Sequence, residues 1–248
     1  MKFLAVLVLT LISTVFAFAQ KTLVTIYLAG DSTMAQKQPD KRPETGWGER
    51  LQNYFDVNKV RVDNRAQNGR STKSFIDEKR WQAIVDDLQK GDYVFVEFGH
   101  NDEKADKPAV YARANTDYRN NLIKFVNEVR AKNAFPVLLT PVARRKFDER
   151  GNFVETHGDY PDAARKVAFE TKTPLIDLHR ASSELLAKMG AENARKLFLQ
   201  LKPGENPNYP NGVEDNTHFN LNGAETMARL AVEAIKTQKI ALRKFLKK

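Results

Sequence analysis

Short apolar runs, rich in β-branched and aromatic residues, alternate along this chain with longer segments whose apolar residues recur every three or four positions. Chains with this alternation build βαβ units around a parallel sheet. The runs are brief, as is typical of strands buried on both faces. They cover residues 23–28, 60–64, 93–98, 136–140 and 174–178. We therefore expect an α/β fold in which a five-stranded parallel sheet lies between two layers of helices.

The segments with helical periodicity are equally distinct. They cover residues 48–55, 81–88, 117–132, 159–171, 181–189 and 221–236. In the third segment, Tyr118, Leu122, Phe125 and Val129 recur at three- and four-residue spacings, which places them on one stripe that faces the sheet. Residues 202–217 are rich in Pro, Gly and Asn and are predicted to form a long loop before the last helix.

The amino-terminal segment has the pattern of a signal peptide. Lys2 precedes an apolar run that ends in Ala17-Phe18-Ala19, a peptidase site of the A-x-A type. A membrane anchor is the alternative, although the run is short for a span of about 20 residues. We expect cleavage after Ala19, with no stable membrane insertion afterwards. Residues 20–248 would then form one α/β domain that is secreted or periplasmic.

Composition limits the kinds of partner and cofactor. The chain has no cysteine, so disulfides and Cys-based zinc sites are excluded, and its four histidines show no ligand-like clustering. We expect no metal and no cofactor. The net charge is +9, and six basic residues but no acidic one lie between residues 236 and 248. Elsewhere the basic residues are interleaved with acidic ones, which favours a solvated mixed surface over a nucleic-acid partner. An acidic polysaccharide would also be attracted to such a surface.

The loops that follow the predicted strands carry polar residues suited to catalysis. Sites in open parallel sheets collect at the carboxyl ends of the strands. The first strand leads into Gly30-Asp31-Ser32, where Ser32 could be a nucleophile or only a helix N-cap. The second and third lead into Asn68-Gly69 and Gly99-His100-Asn101-Asp102. The Gly69 amide and the Asn101 side chain are suitable donors for an oxyanion hole, but such residues also occur in ordinary turns.

A fourth polar motif, Asp215-Asn216-Thr217-His218, lies between the predicted long loop and the last helix. A carboxylate three residues before a histidine can accept a hydrogen bond from one ring nitrogen and orient the imidazole as a base. Alternatively, Asp215 or Thr217 caps the helix and His218 lies on the surface. The α/β-hydrolase motif G-x-S-x-G is absent from the sequence, which disfavours that class of esterase.

These four motifs, in this order, resemble the four conserved blocks of the SGNH (GDSL-like) hydrolases. The segments around Gly46-Trp47-Gly48, Thr140-Pro141 and Gly158-Asp159 further resemble the rhamnogalacturonan acetylesterase branch. The resemblance implies a flavodoxin-like SGNH fold in which Ser32 is the nucleophile and His218 and Asp215 are its base and acid. It also implies an oxyanion hole made by Ser32, Gly69 and Asn101.

The resemblance further implies a serine esterase that removes acetyl groups from a plant polysaccharide, first of all rhamnogalacturonan. Deacetylation of xylan, a general arylesterase or lysophospholipase activity, and a catalytically inert carbohydrate-binding protein remain alternatives. We expect Asp102 to fix the loop that carries Asn101. The side chains predicted to contact an acetylated polysaccharide are His100, Arg144, His157 and Tyr160.

Overall fold

A five-stranded, all-parallel sheet forms the centre of the computed structural model, which describes residues 23–247. The strands are β1 (Val24–Gly30), β2 (Val60–Asn64), β3 (Tyr93–Glu97), β4 (Phe135–Leu139) and β5 (Leu175–Ile176). Their spatial order is β2-β1-β3-β4-β5, which is the flavodoxin-like order. The predicted fold class is confirmed. The predicted signal peptide, residues 1–19, lies outside the described residues.

Helices cover both faces of the sheet because alternate strand residues point to opposite sides. Ile26 and Leu28 of β1 pack in one apolar cluster, and Tyr27 and Ala29 pack in the other. The helices are α1 (Thr72–Asp77), α2 (Arg80–Asp87), α3 (Arg119–Ala131), α4 (Tyr160–Thr171), α5 (Leu178–Ala194) and α6 (Leu221–Thr237). The first cluster includes residues of α5 and α6, and the second includes residues of α1 to α4. No helix within residues 23–247 is both long and apolar enough to cross a membrane.

The helix expected at residues 48–55 is instead two short 3-10 turns, Trp47–Glu49 and Leu51–Tyr54. The segment starts with glycines that approach the chain after β1 closely. A Cβ atom on Gly48 would lie 2.6 Å from the carbonyl oxygen of Met34. This contact requires glycine, which is a poor residue for helix interiors.

The long loop expected at residues 202–217 is mostly a β-hairpin. Strands β6 (Phe198–Leu201) and β7 (Val213–Phe219) pair antiparallel, with Leu201 opposite Val213. The turn residues that suggested a loop lie between these strands. Phe198 and Phe219 also pack together, with ring centroids 5.2 Å apart. The motif from Asp215 to His218 therefore lies on a strand.

Candidate active site

The four polar motifs meet at the carboxyl edge of the sheet, and backbone hydrogen bonds join the loops that carry them. The Gln67 amide donates to the Gly30 carbonyl at 2.9 Å, which ties the loop after β2 to the end of β1. The Thr45 amide donates to the Phe219 carbonyl at 2.9 Å, which ties β7 to the segment that follows β1. Residues 32–34 form a turn and not the start of a helix, so Ser32 is not an N-cap.

A continuous chain of contacts runs from Ser32 through His218 to Asp215. Nε2 of His218 lies 2.8 Å from Oγ of Ser32, and Nδ1 of His218 lies 2.7 Å from Oδ2 of Asp215. The His218 and Asp215 side chains are 27% and 24% exposed, so the pair is open to solvent. The last helix, α6, is capped by Asn220, whose Oδ1 accepts from the Gly223 amide at 3.1 Å. Asp215 and Thr217 are therefore not its caps.

The hydrogen bonds of Asp215 determine the tautomer of His218. Oδ1 of Asp215 accepts from the backbone amides of Thr217 and His218 at 2.7 and 2.9 Å. Partial burial raises the pKa of Asp215, but the His218 ring and these amides outweigh it, so the net effect is a lowered pKa. An ionised carboxylate at Nδ1 requires a proton on that nitrogen. Nε2 is then free to accept the Ser32 proton.

The predicted oxyanion-hole residues lie in the two neighbouring loops. Nδ2 of Asn101 donates to the Arg70 carbonyl at 2.9 Å, and Oδ1 accepts from Nζ of Lys104 at 2.7 Å. Because an ammonium group only donates, Lys104 fixes the orientation of the amide. One Nδ2 hydrogen remains for a substrate oxygen. Gly69 has φ +76°, a left-handed conformation that favours glycine.

Lys37 is a buried site residue that we did not predict from the sequence. Its side chain is 1% exposed, and Nζ lies 2.5 Å from the Ser32 carbonyl, 2.9 Å from Oδ1 of Asn68 and 2.7 Å from Oε1 of Glu44. The ammonium therefore joins the Ser32 turn to the loop that carries Gly69. Nothing in its local sequence, Ala35-Gln36-Lys37-Gln38, indicates this role.

A second Asp–His pair lies beneath the first. Nδ1 of His100 lies 3.1 Å from Oδ2 of Asp31, and the two side chains are 3% and 0% exposed. Burial lowers the pKa of His100 to about 4, although Asp31 opposes this shift. Burial alone would raise the pKa of Asp31, but His100 and two hydrogen bonds from Thr33 hold it well below its usual range. His100 Nε2 has no hydrogen-bond partner among residues 23–247.

Two further carboxyl groups are buried beside this pair. Burial and the charge of Asp31 raise the pKa of Glu97 to about 8, against the hydrogen bonds from Val142, Trp47 and Thr33. Burial also raises the pKa of Asp102 to about 7, despite bonds from the amide and hydroxyl of Thr72 to Oδ1 at 2.9 and 2.5 Å. Glu97 was not predicted, although a lone acidic residue in the apolar run 93–98 is a usable signal.

Three of the four predicted substrate contacts are buried by the structure. His157 binds Oε2 of Glu103 and the Val142 carbonyl, and the Tyr160 hydroxyl donates to the carbonyls of Asp102 and Ala112. These two side chains and His100 are therefore enclosed by protein groups, and the structure does not support a substrate contact for them.

Arg144 remains a candidate for a substrate contact, since its side chain is 20% exposed and forms an ion pair with Glu103. Asp102 accepts a hydrogen bond from the Thr72 hydroxyl, which anchors the loop that carries Asn101. Within residues 23–247, no group of three or more His, Cys, Asp or Glu side chains is arranged to hold a metal ion.

Comparisons with known proteins agree with this geometry. A family model described as the GDSL-like lipase/acylhydrolase family matches residues 28–225. The chain is 41% identical over 212 residues to rhamnogalacturonan acetylesterase RhgT of Bacillus subtilis (strain 168), covering 86% of this chain and 89% of that protein. It is 30% identical over 236 residues to a rhamnogalacturonan acetylesterase of Emericella nidulans, covering 88% of this chain and 87% of that protein.

Among solved structures, the crystal structure of the Bacillus subtilis protein YxiM is similar at TM-score 0.75 and 30% identity. The match covers 89% of this chain and 58% of that chain. This chain thus spans little more than half of that structure.

Proposed function

Because this chain belongs to the GDSL-like lipase/acylhydrolase family and is a carbohydrate acetylesterase of the serine hydrolase type, we propose that its substrate is acetylated rhamnogalacturonan. The contact chain from Ser32 through His218 to Asp215 is the observation that carries the proposed mechanism. Residues 20–248 would act in the periplasm or outside the cell, after removal of the signal peptide.

In the proposed reaction, Oγ of Ser32 attacks the acetyl carbonyl carbon while Nε2 of His218 takes the hydroxyl proton. Asp215 stabilises the resulting imidazolium through Nδ1. The tetrahedral intermediate collapses, the sugar oxygen leaves with the proton from His218, and the acetyl group stays on Ser32. Water, deprotonated by His218, then attacks the acetyl-enzyme. The bond to Ser32 breaks, Oγ takes the proton from His218, and acetate is released.

The negative oxygen of each tetrahedral intermediate would accept hydrogen bonds from the amides of Ser32 and Gly69 and from Nδ2 of Asn101. Loss of one such donor typically lowers turnover by about a hundred- to a thousandfold. Lys104 supports this role, since it holds the Asn101 amide with nitrogen and not oxygen toward Arg70 and the site. The alternative of an inert binding protein has no need for this alignment.

The choice of substrate is supported by similarity to two rhamnogalacturonan acetylesterases and by the net charge of +9, which favours an acidic polymer. The test is acetate release from acetylated rhamnogalacturonan, acetylated pectin and acetylxylan by residues 20–248. We expect the highest kcat/KM on rhamnogalacturonan and none above background for Ser32→Ala. Faster release from xylan would overturn the substrate, and an active Ser32→Ala variant would overturn the mechanism.

A further inference from the structure

A groove of about 780 Å³ opens at the amino edge of the sheet, the edge opposite Ser32. Its floor includes the first residues of β3 and β4, Tyr93 and Phe135. In the strand register Tyr93 lies opposite Ile26, six residues before Ser32. At about 3.3 Å per residue, the groove and the serine are roughly 20 Å apart. The groove is therefore separate from the candidate active site.

The charged side chains that line this groove within residues 23–247 are all positive. Its charged lining residues are Lys90, Arg130, Lys172 and Lys239, and no acidic residue in the described part of the chain lines it. Arg130 donates to the Thr171 and Lys172 carbonyls at the end of α4. The three lysines are exposed and form no ion pair with any residue from 23 to 247. The basic segment that begins at residue 236 thus contributes to a defined cavity.

Helix ends reduce this positive charge without cancelling it. Helices α3, α4 and α6 all end beside the groove, where Asn133, Lys172 and Lys239 adopt left-handed conformations. Each helix carboxyl end carries about half a negative charge. Three such ends offset part of the charge of the four cationic side chains, so the groove keeps a net charge of roughly +2.5.

The groove also presents an aromatic face. Phe135 is 51% exposed, although most large apolar side chains between residues 23 and 247 are buried. Its ring packs on Tyr93 with centroids 4.9 Å apart and planes at 32°, which fixes its orientation. An exposed, oriented aromatic ring offers an apolar surface to the C–H face of a sugar ring. Lysines around it complement carboxylates on the same polymer.

We propose that this groove, formed by Lys90, Tyr93, Phe135, Lys172 and Lys239, is an accessory binding site for a uronate-containing polysaccharide. This inference rests on the proposed function, because it assigns a second contact to the acidic polymer that the esterase deacetylates. The site would hold the polymer on the enzyme while Ser32 acts on acetyl groups elsewhere along it. It would take no part in chemistry.

The test is electrophoresis of residues 20–248 through native gels that contain unacetylated polygalacturonate, a neutral galactan or no polymer. The groove variants are Phe135→Leu, which keeps an apolar contact with Tyr93, and the double variant Lys90→Gln/Lys172→Gln. The matched controls are Phe169→Leu, at a phenylalanine 86% exposed on α4, and Lys79→Gln/Lys188→Gln, which changes the charge equally.

We expect polygalacturonate to retard the wild type and both controls, and the lysine groove variant to bind about tenfold more weakly, as two exposed charge contacts would give. Phe135→Leu should also bind more weakly, and galactan should retard none of the proteins. Retardation that is absent, equal with galactan, or reduced equally in the controls would overturn the proposal. Equal binding to single-stranded RNA would also overturn it, in favour of a nucleic-acid partner.

Hydrolysis of p-nitrophenyl acetate separates this proposal from the proposed function. All groove and control variants should keep wild-type rates on this small ester, which needs no accessory contact. A wild type that hydrolyses the ester but is not retarded would refute the groove alone. A wild type that is retarded but inert on acetyl esters would refute the proposed function alone.

Discussion

Two Asp–His pairs lie near the carboxyl edge of the sheet, and they differ in burial and in what the second ring nitrogen faces. The pair of Asp215 and His218 is about one quarter exposed, and Nε2 of His218 contacts the Ser32 hydroxyl. The pair of Asp31 and His100 is buried, and Nε2 of His100 has no partner among residues 23–247. The same two residue types therefore contact the Ser32 hydroxyl in one pair and lie within the interior of the fold in the other.

The difference shows that a hydrogen bond between a carboxylate and an imidazole is not enough to make the histidine a catalytic base. A catalytic imidazole must gain a proton in one step and lose it in the next, which requires a reacting group on Nε2 and solvent nearby. Burial lowers the pKa of His100 to about 4, so its charged form is strongly disfavoured at neutral pH. In the proposed mechanism the chemistry belongs to the pair of Asp215 and His218, and we expect the pair of Asp31 and His100 to support the Ser32 turn.

Replacement of each histidine should give opposite results, and these are the largest effects that we expect. His218→Ala removes the base and should lower kcat/KM roughly 10⁴- to 10⁶-fold with little change in Tm. His100→Ala removes the neutral imidazole that hydrogen-bonds the buried Asp31 carboxylate and should lower the free energy of unfolding by about 1.5 to 3 kcal/mol. Esterase kinetics measure the change in kcat/KM, and urea denaturation measures the change in the free energy of unfolding. Loss of activity in a fully stable His100→Ala protein would reverse the assignment.

Loss of Lys37 should have a smaller effect, on the rate of the reaction at Ser32. Lys37→Met removes the ammonium that joins the Ser32 carbonyl to Asn68, so the nucleophile and the Gly69 loop lose their fixed separation. We expect kcat to fall by up to about a hundredfold, as misplacement of reacting groups by about 1 Å gives, with KM nearly unchanged. Lys73→Met, which removes an exposed ion pair with Asp77, is the control. A rise in KM at constant kcat would argue against a positioning role.

The buried carboxyl group of Glu97 should make the free energy of unfolding depend on pH. The folded protein keeps the proton of Glu97 up to about pH 8, whereas an unfolded glutamate is ionised above about pH 4.5. Unfolding therefore releases a proton in this range, and the free energy of unfolding falls as pH rises, by at most about 1.4 kcal/mol per pH unit from this group. Asp102, whose pKa is raised to about 7, acts in the same direction.

Glu97→Gln should remove about 1 to 2 kcal/mol of the decrease in stability between pH 6.5 and pH 8. Measurements start at pH 6.5 because below it the lowered pKa of His100 makes a contribution of opposite sign. Glu233→Gln, on an exposed position of α6, is the control. Identical pH slopes for wild type and Glu97→Gln would show that Glu97 is ionised in the folded protein.

The sequence predicts the sheet and the meeting of the four motifs because both follow from local patterns. Strand-like runs that alternate with helical segments determine a parallel sheet, and the loops after parallel strands share one edge. The hairpin of β6 and β7 was missed because its Pro- and Gly-rich turn dominates the composition of residues 202–217. The strand pairing itself depends on contacts between separated residues, such as Phe198 and Phe219.

Burial explains why the structure does not support three of the predicted substrate contacts. The residue types of His157 and Tyr160 do not reveal that protein groups already occupy their polar atoms. The residue type of His100 does not reveal that its side chain is only 3% exposed. Lys37 was missed because lysine is rarely buried in proteins. Only the fold brings its partners Glu44 and Asn68 to it. Sequence motifs therefore identify which residues carry chemistry better than they identify which residues hold them in place.

The most direct test of the central claim is the site of labelling by a fluorophosphonate, which modifies activated serines. Peptide mass spectrometry after treatment of residues 20–248 should find one adduct, on Ser32. Labelling should be at background in His218→Ala and preserved in a folded His100→Ala protein. An adduct on another serine, or equal labelling of Ser32 without His218, would contradict the account.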